Sequence, residues 1–133
     1  MRSVGDYFRE DHASLDELFR KFQAEKYSDF DRARKYFEEF KSRLESHIVW
    51  EEELLFPLFD AKTEMRYSGL TAVMRMEHVQ IRETLAAIHA QTKNQNPHSE
   101  KNEAALLNIL GVHNQKEEES VYPIIDDTAN ARK

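Results

Sequence analysis

Apolar residues recur along almost the whole chain at alternating steps of three and four, the period of an α-helix with one buried face. Four such seams can be traced. The first is Phe8, His12, Leu15, Phe19, Phe22, and the second Ala33, Phe37, Phe40, Leu44, His47, Glu51, Leu54, Leu58. The third is Met74, His78, Ile81, Leu85, Ile88, and the fourth Leu106, Leu110, His113, Glu117, Ile124. Polar or turn-forming stretches separate them at Tyr27-Ser28-Asp29, Arg66-Tyr67-Ser68-Gly69 and Asn94-Gln95-Asn96-Pro97. Asp29 and Ser99 stand where N-caps belong, Ser99 with Glu103 close by in the first turns. Pro57 and Pro123 fall near the ends of the second and fourth helices, where a missing backbone donor costs least or kinks the last turns. No β-type alternation of useful length is present. Short connections make successive helices antiparallel, so the pattern predicts an all-α, up-down-up-down four-helix bundle. Its second helix, of about 30 residues, would span roughly 45 Å.

The seams are not purely apolar, and their polar members repeat. HIVWEEELLFP at 47–57 and HNQKEEESVYP at 113–123 share one spelling: His, three residues, three glutamates, two residues, an aromatic and proline. The offset between them also carries Asp11-His12 onto Glu77-His78. Two helical hairpins are therefore related by an internal repeat that preserves His, His and Glu. His47 and Glu51 are i, i+4 neighbours on the face that Phe40 and Leu44 make apolar, and His113 and Glu117 follow Leu110 in the same way. His12 lies between Phe8 and Leu15, and His78 between Met74 and Ile81. Six ionisable groups thus point into a small core, where an unpaired carboxylate costs several kcal/mol or takes up a proton. Imidazole nitrogen and carboxylate oxygen are both lone-pair donors, and a bound cation relieves the difficulty. Hydrogen bonding between His and Glu alone is the bland alternative. The pseudo-symmetry suggests two ions, one on His12 and His47 and the other on His78 and His113, bridged by Glu51 and Glu117. Iron or manganese suits such a set in a bundle, and zinc also accepts histidine. Helical phase places Glu117 nearer to His113's face than Glu118.

Composition narrows the classes. At 133 residues, 40% hydrophobic and 33% charged, the whole chain, 1–133, reads as one ordinary globular domain. The absence of cysteine excludes disulfides, iron–sulfur ligation and thiolate zinc sites. A net charge of −6, without a basic stripe interleaved with aromatics, argues against a nucleic-acid partner. No apolar run of membrane-spanning length occurs, nor a signal-like segment in MRSVGDYFRED, and a cytoplasmic location is the expectation.

The early Asp11-His12, HIVWEEELLFPLF at 47–59, MEHVQI at 76–81 and the H-x3-EEE-x3-P of the fourth helix together resemble the hemerythrin-like, or HHE cation-binding, family. The resemblance runs from about Val4 to Asp126. It implies a four-helix bundle holding two non-haem iron ions, bridged by carboxylates and an oxo or hydroxo group. By position the ligands would be His12, His47, Glu51, His78, His113 and Glu117. The chain departs from the oxygen carriers of the family at two places. Arg82 stands where their third helix has a second histidine, and Glu118 where they carry an aspartate. The pattern is similar to the His4Glu2 branch. It implies a more open centre that interacts with O2, peroxide or NO in sensing, storage or scavenging, rather than one that carries O2 reversibly. An enzyme of peroxidase-like or iron–sulfur-repair type is the alternative.

Other residues read more plainly. Trp50 and Tyr122 are expected to pack, and Glu52, Glu53 and Glu118 to form solvated or salt-bridged flanks. Asp16, the repeat counterpart of Arg82, reads as a surface charge, and His89 and His98 as solvent-facing.

Overall fold

The computed structural model describes residues 3–131; residues 1, 2, 132 and 133 of the expected 1–133 domain lie outside it. Its helices are α1 (Val4–Glu25), α2 (Phe30–Trp50), α3 (Phe56–Lys62), α4 (Ser68–Lys93), α5 (Glu100–Lys116) and α6 (Tyr122–Ala131). Two single-turn π-helical segments, Glu51–Leu55 and Glu117–Val121, join α2 to α3 and α5 to α6 without a break. The result is four antiparallel rods, with α1 packed on α2 and α4 on α5. This is the four-helix bundle that the apolar period predicts, and no strand occurs among the described residues.

Local chemistry sets the rod ends. Ser3 accepts from the backbone N–H of Asp6 while the Asp6 carboxylate accepts from Ser3, a reciprocal cap on α1. Asp29 caps α2 through Arg32 N–H at 3.2 Å, as its position suggests. Ser99 makes no such cap; its hydroxyl donates instead to the buried Glu103 carboxylate, which also pairs with the buried Lys26 ammonium. Glu103 stands at the repeat position of Phe37, so the second hairpin replaces a core aromatic with an ion pair.

The π turns change which residues the core receives. Proline lacks an N–H, and its ring clashes with the carbonyl four residues back. Here the ladder widens just before each proline: Phe56 N–H bonds to the Glu51 carbonyl, and Tyr122 N–H to that of Glu117, five residues back in both cases. The carbonyls of Glu52 and Glu118, which proline cannot serve, accept from Arg75 Nη2 at 3.2 Å and Arg9 Nη2 at 3.4 Å. These two arginines are themselves repeat mates.

Inserting a residue per turn rotates everything beyond it. The expected seam members Leu54 and Leu58 are exposed, and Ile124 is half-buried; Leu55, Phe56 and Phe59 are buried instead, with Val121, Tyr122 and Ile125 in the second half. A straight α-helical count misses this because it carries the phase of His47 and Glu51 unchanged through the π turn. Two apolar clusters result. The larger joins Phe19, Phe22, Phe37 and Phe40 to Ile81, Leu85, Ile88 and Leu106. The smaller joins Phe8, Met74, Leu55, Phe56, Phe59, Val121, Tyr122 and Ile125.

The shifted phase is directly measurable. Leu55→Ala should destabilise the chain by about 2–5 kcal/mol in urea unfolding, the cost of truncating a buried leucine. Leu54→Ala, at 60% exposure, should stay within about 0.5 kcal/mol of the parent. An uninterrupted α-helix would give the opposite order.

Candidate metal centre

Between the two apolar clusters lies a polar layer, and all six residues singled out by the repeat meet in it. His12 comes from α1, His47 from the end of α2, Glu51 from the first π turn, His78 from α4, His113 from the end of α5 and Glu117 from the second π turn. All six are at most 5% exposed. They fall into two sets that share Glu51: His12, His47, Glu51 and Glu117 in one, Glu51, His78 and His113 in the other.

The contacts have a consistent sense. His12 Nε2 and His47 Nε2 are 3.1 Å apart, and so are His78 Nε2 and His113 Nε2. Glu51 Oε2 lies 3.2 Å from His47 Nε2, while Glu51 Oε1 lies 2.9 Å from His78 Nε2 and 3.6 Å from His113 Nε2. One carboxylate therefore faces both histidine pairs. Glu117 Oε1 is 3.3 Å from His12 Nε2 and 3.5 Å from His113 Nε2. Neither Glu117 oxygen has a hydrogen-bond donor, although both are buried.

The far side of each imidazole explains which atoms point inward. His12 Nδ1 meets Glu118 at 2.8 Å, His47 Nδ1 meets Asp11 at 2.7 Å, His78 Nδ1 meets Glu52 at 2.7 Å and His113 Nδ1 meets Glu77 at 2.9 Å. An ionised carboxylate only accepts, so every Nδ1 carries its hydrogen, and any ring without a second proton turns an Nε2 lone pair toward the layer. The four outer carboxylates form two repeat pairs, Asp11 with Glu77 and Glu52 with Glu118. Glu52 and Glu118 are thus not merely flanks: each reaches across to a histidine of another rod, Glu52 while also receiving Arg82 at 3.4 Å. Sequence reasoning had a signal for the pair Asp11 and Glu77 in their conserved place in the repeat, but none for which histidine each would hold.

Electrostatics follow the same geometry. Burial would raise the Glu51 carboxyl, but its contacts with His113, His47 and His78 carry it well below its ordinary range. Burial opposes charge on His47, yet bonds to Asp11 and Glu51 prevail and raise it to about 9. Burial and the neighbouring His47 charge lower His12 despite its bond to Glu118. Without a cation, this pair of facing nitrogens is served by a proton on His47.

Tyr122 belongs to the layer rather than to the packing alone. Its hydroxyl oxygen lies 3.2 Å from His12 Nε2 and 3.3 Å from Glu51 Oε2. Burial, then the Glu51 charge, raises its phenol well above the ordinary value. Its repeat mate Phe56 stacks on His78 with ring centres 5.5 Å apart and has no such polar atom. Trp50, by contrast, is half exposed. His89 is half-buried against the Phe37 ring, and His98 is exposed as expected. Asp16 lines a cleft of about 550 Å³ that reaches His12 and Glu118 between α1 and α5. Its carboxyl is raised by burial. Arg82 is turned onto Glu52 and adds no donor to the layer.

Residues 4–125 match the family described as the hemerythrin HHE cation binding domain. The chain belongs to the hemerythrin HHE family. No curated protein and no solved structure gives a significant match. Family membership and the buried His/Glu sets together mark a metal-binding protein. No helix among the described residues is long and apolar enough to cross a membrane.

The metal-free HHE bundle should show the His47 proton in its stability. His47 binds that proton more tightly folded than unfolded, so its contribution is complete below about pH 6.5 and is lost as pH rises through about 9. Urea midpoints of the chelator-treated chain should fall across that window, and His47→Gln should flatten the fall. An equal slope in the variant would assign the proton elsewhere.

Proposed function

We propose that this chain holds two iron ions and that the pair meets O2, or a related small oxidant or NO, in sensing, storage or scavenging. The carrying observation is the convergence of lone pairs: four Nε2 atoms and two buried carboxylates face one layer, with both Glu117 oxygens lacking a donor. Such a set is unfavourable when left to itself and well matched to cations. His12 and His47 would hold one ion, and His78 and His113 the other. Glu51 would bridge them, since its two oxygens face different histidine pairs, and Glu117 would complete the bridge. The donors are nitrogen and oxygen only, a set that suits iron and also accepts manganese or zinc.

The remaining residues act on that centre from outside. Asp11, Glu52, Glu77 and Glu118 fix the imidazole tautomers and make the rings stronger donors. Phe8 and Phe56, against His47 and His78, exclude water and lower the local dielectric. The cleft at Asp16 gives a small molecule a path to the His12 side. When bound, a pair of reduced irons supplies the electrons or the open coordination that such ligands require. With Arg82 held on Glu52, the third rod contributes one histidine and not two, which leaves the centre less saturated.

Metal analysis of freshly purified chain should give about two irons per chain, with visible absorption that bleaches on reduction. Stripping the ions should lower the melting temperature, because a ligand bound only to the folded state stabilises it. Glu118→Gln and Glu77→Gln should each weaken iron binding by about 10–100-fold while preserving the bundle. A chain that takes up no iron under anaerobic ferrous loading would overturn the reading.

A further inference from the structure

The two halves of the layer differ in one donor. At the repeat position where the first hairpin has Phe56, the second has Tyr122, and the aromatic rings are otherwise treated alike. Arg75 lies over the Phe56 ring at 5.4 Å and Arg9 over the Tyr122 ring at 5.5 Å, and both aromatics are fully buried. Phe56 shows that the position needs no hydroxyl for packing. A buried phenol without a good partner is costly, so its presence calls for a physical reason.

Ordinary hydrogen bonding is a poor one. An O–H···O bond is usually about 2.5–3.0 Å long, whereas the hydroxyl sits 3.3 Å from Glu51 Oε2, with His12 Nε2 at 3.2 Å. Those lengths suit a different relation. Donors at about 2.1 Å from one ion, at right angles to each other, are separated by about 3.0 Å. The neighbouring separations are 3.1 Å for His12 to His47, 3.2 Å for His47 to Glu51 Oε2 and 3.3 Å for His12 to Glu117 Oε1. Tyr122 Oη continues that series and touches two of the same atoms.

We propose that Tyr122 is a further iron ligand, its oxygen the fifth protein donor to the ion held by His12, His47, Glu51 and Glu117. This rests on the two-iron reading above. Tyrosine oxygen is an established class of iron ligand. On binding a ferric ion the phenol O–H bond is exchanged for an O–Fe bond, the proton leaving to solvent, with no change in oxidation state. The ion on His78 and His113 faces Phe56 and receives no counterpart. The two irons would therefore be chemically distinct, the one on His12 and His47 having a protein oxygen donor that the other lacks.

The test is the resonance Raman and visible spectrum of the iron-loaded, oxidised chain, compared with Tyr122→Phe. Phenylalanine already occupies the equivalent position, so the variant retains the packing, and its melting curve and iron content are measured alongside. We expect phenolate ring modes and a phenolate-to-iron absorption in the parent, and loss of both in Tyr122→Phe at unchanged iron content. A parent that binds iron but shows no phenolate modes overturns the tyrosine ligand alone. The same modes persisting in Tyr122→Phe also overturn it. A parent that binds no iron overturns the centre and the ligand together.

Discussion

Burying ionisable groups in a dry layer is the constraint around which this bundle is arranged. A carboxylate such as Glu51 would ordinarily be expelled from a core or neutralised. It remains charged because three imidazoles surround it. Those imidazoles point correctly because each has a carboxylate behind it, and those carboxylates are placed by the rods opposite. The interior is therefore organised from the outside inward: surface and half-buried acids select tautomers, tautomers select which lone pairs converge, and the converging lone pairs define what can be bound. Removing any outer acid changes the chemistry of an atom it never touches.

The backbone supplies a matching device. Each proline forbids the regular ladder at a point where the rod has just delivered its buried glutamate. The widened turn absorbs the clash, and an arginine from a neighbouring rod takes the carbonyl left without a donor. Arg9 and Arg75 thereby tie α1 and α4 to the rods carrying the glutamates, while their planar heads cover Tyr122 and Phe56. Strand-like order is not needed to fix the register between rods, because a backbone acceptor serves as the peg.

Much of this is legible in the sequence. The four rods follow from three-four stepping, and the convergence of His12, His47, Glu51, His78, His113 and Glu117 follows from histidines and glutamates keeping seam positions in both halves. The exposure of Leu54 and Leu58 did not follow, since periodicity assumes a constant number of residues per turn and a π turn breaks that assumption without leaving any gap in the pattern. The roles of Glu52 and Glu118 were hidden for another reason. Each is off the seam of its own helix and finds its histidine on a different one, a relation that spacing within a helix cannot express. Tyr122 was visible as an aromatic before a proline, but the meaning of its hydroxyl depends on two atoms more than 70 positions away.

The division of the apolar interior has a consequence of its own. The polar layer separates a large cluster, built from long uninterrupted helix, from a small one capped by α3 and α6 beyond the widened turns. Ions in the layer would rivet these two bodies together, because their ligands come from all four rods, and the small end would open more readily without them than with them. That end also displays Val4, Tyr7, Trp50, Leu54 and Leu58 along one apolar groove. Filling the centre would thus hold this surface more firmly, and the state of a deeply enclosed site would be legible at the outside of the molecule as stiffness rather than as shape.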